Sequence, residues 1–262
     1  KSDESSADLT VDTSAPTVTS LETQDNDHNG KIDAIKISFS ENIDDSRFAP
    51  GSDGWSVEGH EDYGEPSIET GEVANDDVII LGFPEGDSPD TAATPVISYT
   101  QSEGDNSTHD LAGNELESGS WIPDDKAFPV LVSAITRDED EDGRIDTVIA
   151  TISENINGST STPADYSVGG YVISSESEEG GIITLNLIEK ETANDTGAKP
   201  TVSLISGEGT GVKDLNNNWS YGENLVEAAD GAAPVSTLTT PSQETFHNSA
   251  INISGSSSDS NG

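Results

Sequence analysis

Asp25-Asn-Asp27-His-Asn29-Gly30-Lys31-Ile32-Asp33 recurs as Asp138-Glu-Asp140-Glu-Asp142-Gly143-Arg144-Ile145-Asp146. The shift is 113 residues at both ends, from 25 to 138 and from 33 to 146, so the copies are in register. The match extends at the same shift to Pro16 and Pro129 upstream, and to Ser40-Glu41-Asn42-Ile43 and Ser153-Glu154-Asn155-Ile156 downstream. An internal repeat of this kind means tandem domains and fixes the architecture before any finer reading.

Within each copy, acidic or amide side chains fall at loop positions 1, 3, 5 and 9, with glycine at 6 and isoleucine at 8. A hard cation such as Ca2+ takes about six to eight oxygens at roughly 2.3–2.6 Å, so the chain must coil tightly enough to aim alternate side chains inward. Glycine at position 6 permits that turn. The first loop offers Asp25, Asp27, Asn29 and Asp33, and the second Asp138, Asp140, Asp142 and Asp146. Lys31 and Arg144, at position 7, would contribute a backbone carbonyl and point their charged ends away. Ile32 and Ile145 would pin each loop to the apolar interior. A solvated acidic turn is the ordinary expectation in so acidic a chain, but composition alone does not place such a turn twice in one register with Gly and Ile at fixed positions.

The pattern departs from an EF-hand, because position 12 holds Lys36 in one copy and Ile149 in the other, where a bidentate glutamate is required. The residues after each loop alternate with a period of two: Ile35, Ile37, Phe39 and Val148, Ala150, Ile152. That is a strand, so each loop caps a β-hairpin. Its remaining ligands come from Glu41 and Glu154, other carboxylates, or water.

Lys plus Arg number 10 against 51 Asp plus Glu, a formal net charge of −41. The acids are spread through both repeats. Such a charge makes nucleic acid or an anionic membrane surface unsuitable partners. Self-repulsion of this size calls for screening, and at about 1 M salt the Debye length is roughly 3 Å. We read a host living in concentrated brine; a calcium-rich adhesin from ordinary conditions is the competing explanation. Cysteine and methionine are both absent, so no disulfide or thiolate ligand contributes. No apolar run nears the roughly 18 residues that span a bilayer, and Lys1-Ser-Asp-Glu4 lacks a signal-peptide core. The chain reads as an extracellular, cell-surface segment without membrane insertion.

Residues 1–14 are polar and aperiodic, a linker. The first domain is expected over 15–127, with strands at Thr17–Leu21, Ile35–Phe39, Trp55–Val57, Val78–Phe83 and Val96–Tyr99. The second, over 128–232, repeats them at Val130–Ile135, Val148–Ile152, Tyr166–Val168 with Tyr171–Ile173, Ile182–Leu187 and Val202–Ile205. No segment sustains a 3.6-residue period. Short strands with turns every 8–12 residues or so, in about 110 residues, describe an antiparallel immunoglobulin-type sandwich. The fold class is therefore all-β, tandem immunoglobulin-like antiparallel β-sandwiches. Each domain closes on a shared landmark, Asp110-Leu-Ala-Gly-Asn114 and Asp214-Leu-Asn-Asn-Asn218, the second with Asn216-Asn217 for Ala-Gly. Ala232-Ala233-Pro234 then opens a third, incomplete unit over 233–262, as expected of an excerpt from a longer array.

Ala15-Pro16, Phe39-Ser-Glu41-Asn-Ile43 and Asp110-Leu-Ala-Gly-Asn114 resemble the opening, second-strand and closing signatures of bacterial and archaeal Ig-like domains in surface-layer proteins and large adhesins. The second domain matches with drift at Phe128-Pro129, Ile152-Ser-Glu154-Asn-Ile156 and Asp214-Leu215. The resemblance implies a stalk, lattice or adhesive role outside the cell, with other copies, surface proteins or glycans as partners. The function expected is a calcium-binding structural or adhesive segment of a halophile surface protein. Accessory Ig-like modules of a secreted hydrolase are the alternative, discriminated by any catalytic sequence elsewhere in the parent.

Catalytic readings are weak. His28, His60, His109 and His247 lack metal-ligand spacing. Gly86-Asp87-Ser88 and Thr108-His109-Asp110 offer a serine and an imidazole, but no strand-Ser-helix elbow surrounds Ser88. With so many acids, carboxylate pairs at glycosidase separations arise by composition. Trp55 and Tyr166 hold equivalent places before Ser-Val, where core packing is the ordinary role, and Trp121 and Trp219 stand near domain ends. Sequons at Asn106, Asn157, Asn194, Asn218 and Asn252 occur at about the chance frequency for a Ser/Thr-rich chain.

Overall fold

The computed structural model describes residues 11–48, 54–59, 66–71, 73–101, 107–191, 194–205, 211–222, 225–240 and 254–259. The described residues are strands joined by turns, with only three-residue 3-10 helices between them. No helix among them is long and apolar enough to cross a membrane. His60, His247, Asn106 and Asn252 lie outside this set. The chain divides into two compact units: one comprises 1–26, 31–88 and 93–127, the other 27–30, 89–92 and 128–262.

In the first unit the strands are β1 (Val18–Gln24), β2 (Ala34–Phe39), β3 (Trp55–Val57), β4 (Ser67–Glu69), β5 (Val78–Gly82), β6 (Ile97–Tyr99) and β7 (Gly119–Trp121). They form an antiparallel sheet in the order β1-β2-β5-β4 and a second in the order β3-β6-β7. The second unit repeats this with β8 (Leu131–Arg137), β9 (Thr147–Ile152), β10 (Tyr166–Val168), β11 (Val172–Glu179), β12 (Ile182–Ile188), β13 (Thr201–Leu204) and β14 (Leu225–Glu227). Its sheets run β8-β9-β12-β11 and β10-β13-β14. A hairpin of β15 (Val235–Thr240) and β16 (Ser254–Ser258) forms its own sheet.

Alternation drives these strands together. On β2, Ile35, Ile37 and Phe39 face inward; β5 adds Ile79 and Leu81, and from the other sheet come Trp55, Val57, Ile97 and Tyr99, all in one apolar cluster. The second cluster draws in the same way on Val148, Ala150, Ile152, Ile183 and Leu185 against Tyr166, Val168, Val202 and Leu204. Burying each large side chain contributes roughly 1.5–3 kcal/mol. Trp55 and Tyr166 are core residues, 1% and 4% exposed, and the Trp55 indole N–H is satisfied by Thr108 Oγ1 at 3.0 Å. In each unit the segment after the last strand returns parallel to the first strand. Thr23 N donates to Asp124 O at 3.1 Å, and Thr136 N to Ala229 O at 3.0 Å.

Sequence periodicity located the long central strands to within a few residues but missed β4, β7 and β14, three-residue edge strands that bury little apolar surface. It also shortened β11, whose Ser/Glu-rich continuation reaches Glu179 because β12 pairs with it throughout.

The closing turns are alike in their bonding. Asp110 accepts from Ala112 N and Asn114 N, both at 2.8 Å, and from Asn114 Nδ2 at 2.7 Å. Asp214 accepts from Asn216 N, Asn218 N and Asn218 Nδ2 at 2.8, 2.8 and 2.7 Å. The turn demands one left-handed residue. Gly113 supplies it at φ +90°, and Asn217 at φ +71°, asparagine being one of the few side chains that tolerates this region. The Asn216-Asn217 replacement therefore leaves the turn intact.

Candidate metal centre

The second acidic loop joins β8 to β9, whose pairing ends at Arg137 opposite Thr147. Ile149, at EF-hand position 12, lies within β9, so the loop belongs to a hairpin and not to a helix-loop-helix. Glu141 at φ +62° and Gly143 at φ +97° turn the chain inward. Ile145 is fully buried in the second core and anchors the loop from below.

This coiling directs backbone N–H groups onto the carboxylates. Asp138 accepts from Asp142 N at 3.2 Å and Gly143 N at 2.8 Å. Asp140 Oδ1 accepts from Asp142 N at 3.2 Å, and Asp142 Oδ1 from Arg144 N at 3.0 Å. Asp146 Oδ2 accepts from Glu139 N at 3.0 Å, while its Oδ1 is buried and takes no hydrogen bond. Asp138, Asp140 and Asp146 each bring a carboxylate oxygen within 4.8 Å of the others. Asp140, Asp142 and Glu189 form an overlapping group on the same criterion. Like charges at this separation repel unless a cation lies among them.

Glu189 escaped the sequence reading. It stands just past β12, which pairs with β9 so that Leu187 N donates to Asp146 O at 2.7 Å. Desolvation first, then the charges of Asp142, Asp140 and Asp146, push its carboxyl above the usual range, with Arg144 opposing. Arg144 corrects a second expectation. Its guanidinium does not point away from the carboxylates but reaches Glu189 Oε2 at 2.9 Å and Asp142 Oδ2 at 3.3 Å. A fork of five donors finds carboxylates wherever they cluster. Glu41 and Glu154, considered as further ligands, stand past the far ends of β2 and β9, some six residues or about 20 Å along the strand. Glu41 groups there with Asp12 and Asp110.

The first loop is divided between the two units, with 25–26 and 31–33 in the first and 27–30 in the second. In the first unit, Asn26 N and Nδ2 donate to Asp33 Oδ1 at 3.1 and 2.9 Å, and Phe83 N donates to Asp33 O at 2.9 Å. Asp25 and Ile32 are buried, and Lys31 Nζ lies 3.9 Å from Glu85 Oε2. In the second unit, Asn29 N and Nδ2 donate to Asp27 at 3.1 and 3.0 Å, with His28 at φ +59° and Gly30 at φ +93°. The bonds from position 2 N to position 9 and from position 5 N to position 3, and the left-handed positions 4 and 6, recur from the second loop, and Lys31 with Glu85 corresponds to Arg144 with Glu189.

No serine–histidine pairing emerges among the described residues. Ser88 is exposed, whereas His109 is buried, with Nδ1 against Ser107 O and Nε2 3.7 Å from Asp44 Oδ2.

No protein-family model matches the chain. It is 26% identical over 199 residues to an outer cell wall protein of Brevibacillus brevis, a match that takes in 76% of this chain and 19% of that protein. Two solved structures also align, the N-terminal part of the bacterial S-layer protein SbsC and a structure of domains 1–6 of surface layer protein SbsC. Identities are 14% and 12%, TM-scores 0.27 and 0.28, with 82% and 86% of this chain and 43% and 42% of those chains covered. The sequence similarity is thus to an outer cell wall protein, of whose length this chain spans about a fifth.

Proposed function

We propose that this chain is a structural segment of a cell-surface layer or adhesin, built of tandem immunoglobulin-like sandwiches whose hairpin loops bind calcium, and that it works in concentrated brine. The surface role rests on one observation, the 26% identity over 199 residues to an outer cell wall protein. The immunoglobulin-like reading is supported by strand order. With β1 to β7 taken as A to G, the sheets are A-B-E-D and C-F-G, the constant-domain arrangement. The domains are then 15–127 and 128–232, with 233–262 beginning a third. The chain acts by holding shape and by contacting other copies, surface proteins or glycans, and not by catalysis.

Calcium is supported by Asp138, Asp140 and Asp146, gathered within 4.8 Å on a loop with glycine at the sharp turn and a strand behind it. Asp142 and the Arg144 carbonyl would complete the second set; Asp25, Asp27, Asn29, the Lys31 carbonyl and Asp33 would form the first. The ion would neutralise facing carboxylates and couple binding to rigidity. Calorimetric titration of the chain with Ca2+ in about 1 M KCl tests this. Loss of one bound ion in Asp138→Ala/Asp142→Ala supports the assignment, and unchanged stoichiometry removes it. Refolding should improve steeply with salt; full folding at about 50 mM would remove the brine reading.

A further inference from the structure

Behind the second loop lies a carboxylate that is not part of the acidic cluster. Asp195 is fully buried, and each of its polar groups is committed. Its Oδ1 accepts from Ile145 N at 2.9 Å, and its own N–H donates to Gly143 O at 3.1 Å, so it grips the loop backbone on both sides of Arg144. Its Oδ2 accepts from the Tyr171 hydroxyl at 2.6 Å and lies 3.4 Å from Lys190 Nζ. Lys190 in turn rests over the Tyr171 ring, 4.2 Å from its centroid. A buried carboxylate is costly unless hydrogen-bonded and paired, and here both conditions are met, by the Tyr171 hydroxyl and the Lys190 ammonium.

The arrangement recurs in sequence. Asp195-Thr-Gly-Ala-Lys-Pro200 corresponds to Asp90-Thr-Ala-Ala-Thr-Pro95, and Asp90 N donates to Gly30 O at 2.9 Å as Asp195 N does to Gly143 O. Backbone at Gly143 and Ile145 fixes where the carboxylates of Asp142 and Asp146 stand.

We infer that Asp195, held by Tyr171 and Lys190, is the positioning residue of the second loop: it sets the loop's shape before any ion arrives and thereby its affinity for a divalent cation. The affinity half of this inference rests on the calcium reading above; the shape half does not. Preorganisation of this kind raises affinity by removing the ordering cost from the binding step.

The test uses the full chain and two readouts: exchange of the Ile145 amide by NMR in chelator, and the Ca2+ dissociation constant by calorimetry. Asp195→Asn should speed Ile145 exchange at least tenfold and weaken Ca2+ at least tenfold, with Tyr171→Phe shifting both about threefold in the same direction. Val202→Ala, a destabilising change in the same core away from the loop, should leave the dissociation constant alone. Equal affinity in Asp195→Asn and wild type, with wild type binding, overturns the inference and spares the calcium reading. If wild type binds no Ca2+, that reading falls, and Ile145 exchange alone decides: faster exchange in Asp195→Asn sustains the positioning role, and unchanged exchange ends it. Should Asp195→Asn fail to fold, the same two measurements on Tyr171→Phe decide in its place.

Discussion

The two acidic loops share a backbone and differ in charge. Position 4 is left-handed in both, His28 at φ +59° and Glu141 at φ +62°, and so is the glycine at position 6, at φ +93° and +97°. Position 5, by contrast, is Asn29 in one and Asp142 in the other, and position 7 exchanges Lys31 for Arg144. The ion pair behind position 7 tightens accordingly, from 3.9 Å in Lys31–Glu85 to 2.9 Å in Arg144–Glu189. Shape is thus set by glycine and by hydrogen bonds to the returning chain, while charge differs at positions 2, 4 and 5, where Asn26, His28 and Asn29 stand against Glu139, Glu141 and Asp142.

Three changes to the loops would break or sharpen this comparison. Asp138→Ala/Asp142→Ala should abolish binding at the second loop and leave the first. It should also remove the second unit's response to Ca2+, about 2.7 kcal/mol at a hundredfold excess over the dissociation constant, or about 10 °C in melting temperature. Gly143→Ala attacks shape instead of charge. Its new Cβ would stand 2.7 Å from Val235 Cγ2 at a φ of +97°, so a loss of about 1–3 kcal/mol is expected in chelator as well as in Ca2+. Asn29→Asp should bring the first loop toward the second, tightening Ca2+ by about tenfold, or roughly 1.4 kcal/mol; calorimetry showing no gain would mean that position 5 does not face the ion.

The smallest effect concerns the closing turns. Burial alone would raise the Asp110 carboxyl, but hydrogen bonds from Asn114, Ala112 and Gly113 outweigh it and hold the group below the usual range. A depressed folded value means that this turn's contribution is present above the unfolded value near 3.9 and lost as pH falls through the folded one. Asp110→Asn should lower the first unit's stability at neutral pH by that contribution and flatten the acid limb of its stability curve, since no carboxylate is left there to protonate. Exchanging Gly113 and Asn217 between the turns should cost less than about 0.5 kcal/mol, whereas alanine at either should cost about 1 kcal/mol.

Much of this was legible in the chain. The 113-residue shift exposed the repeat, and alternation at Ile35, Ile37 and Phe39 gave the hairpin and its buried face. Glu85, Glu189 and Asp195 were not found, for a reason in the fold. They lie beyond β5 and β12, which reach the loop only through antiparallel pairing, Ala34 with Gly82 and Thr147 with Asn186. Because the intervening segments differ in length, Glu85 maps to Glu189 at a shift of 104 and Asp90 to Asp195 at 105, so a search at constant shift passes them by. The orientation of Arg144 was misjudged because sequence spacing fixes where a backbone carbonyl can point, whereas a long cationic side chain reaches for the carboxylates that tertiary pairing supplies. Residues 241–253 of the expected third unit lie outside the described residues.

Calcium binding stands or falls on the second loop. Crystals grown in millimolar CaCl2 and measured for anomalous scattering should show a peak about 2.3–2.6 Å from oxygens of Asp138, Asp140, Asp142 and Asp146. A loop with the same turn and hydrogen bonds, but no peak among those carboxylates under calcium-replete conditions, would contradict it.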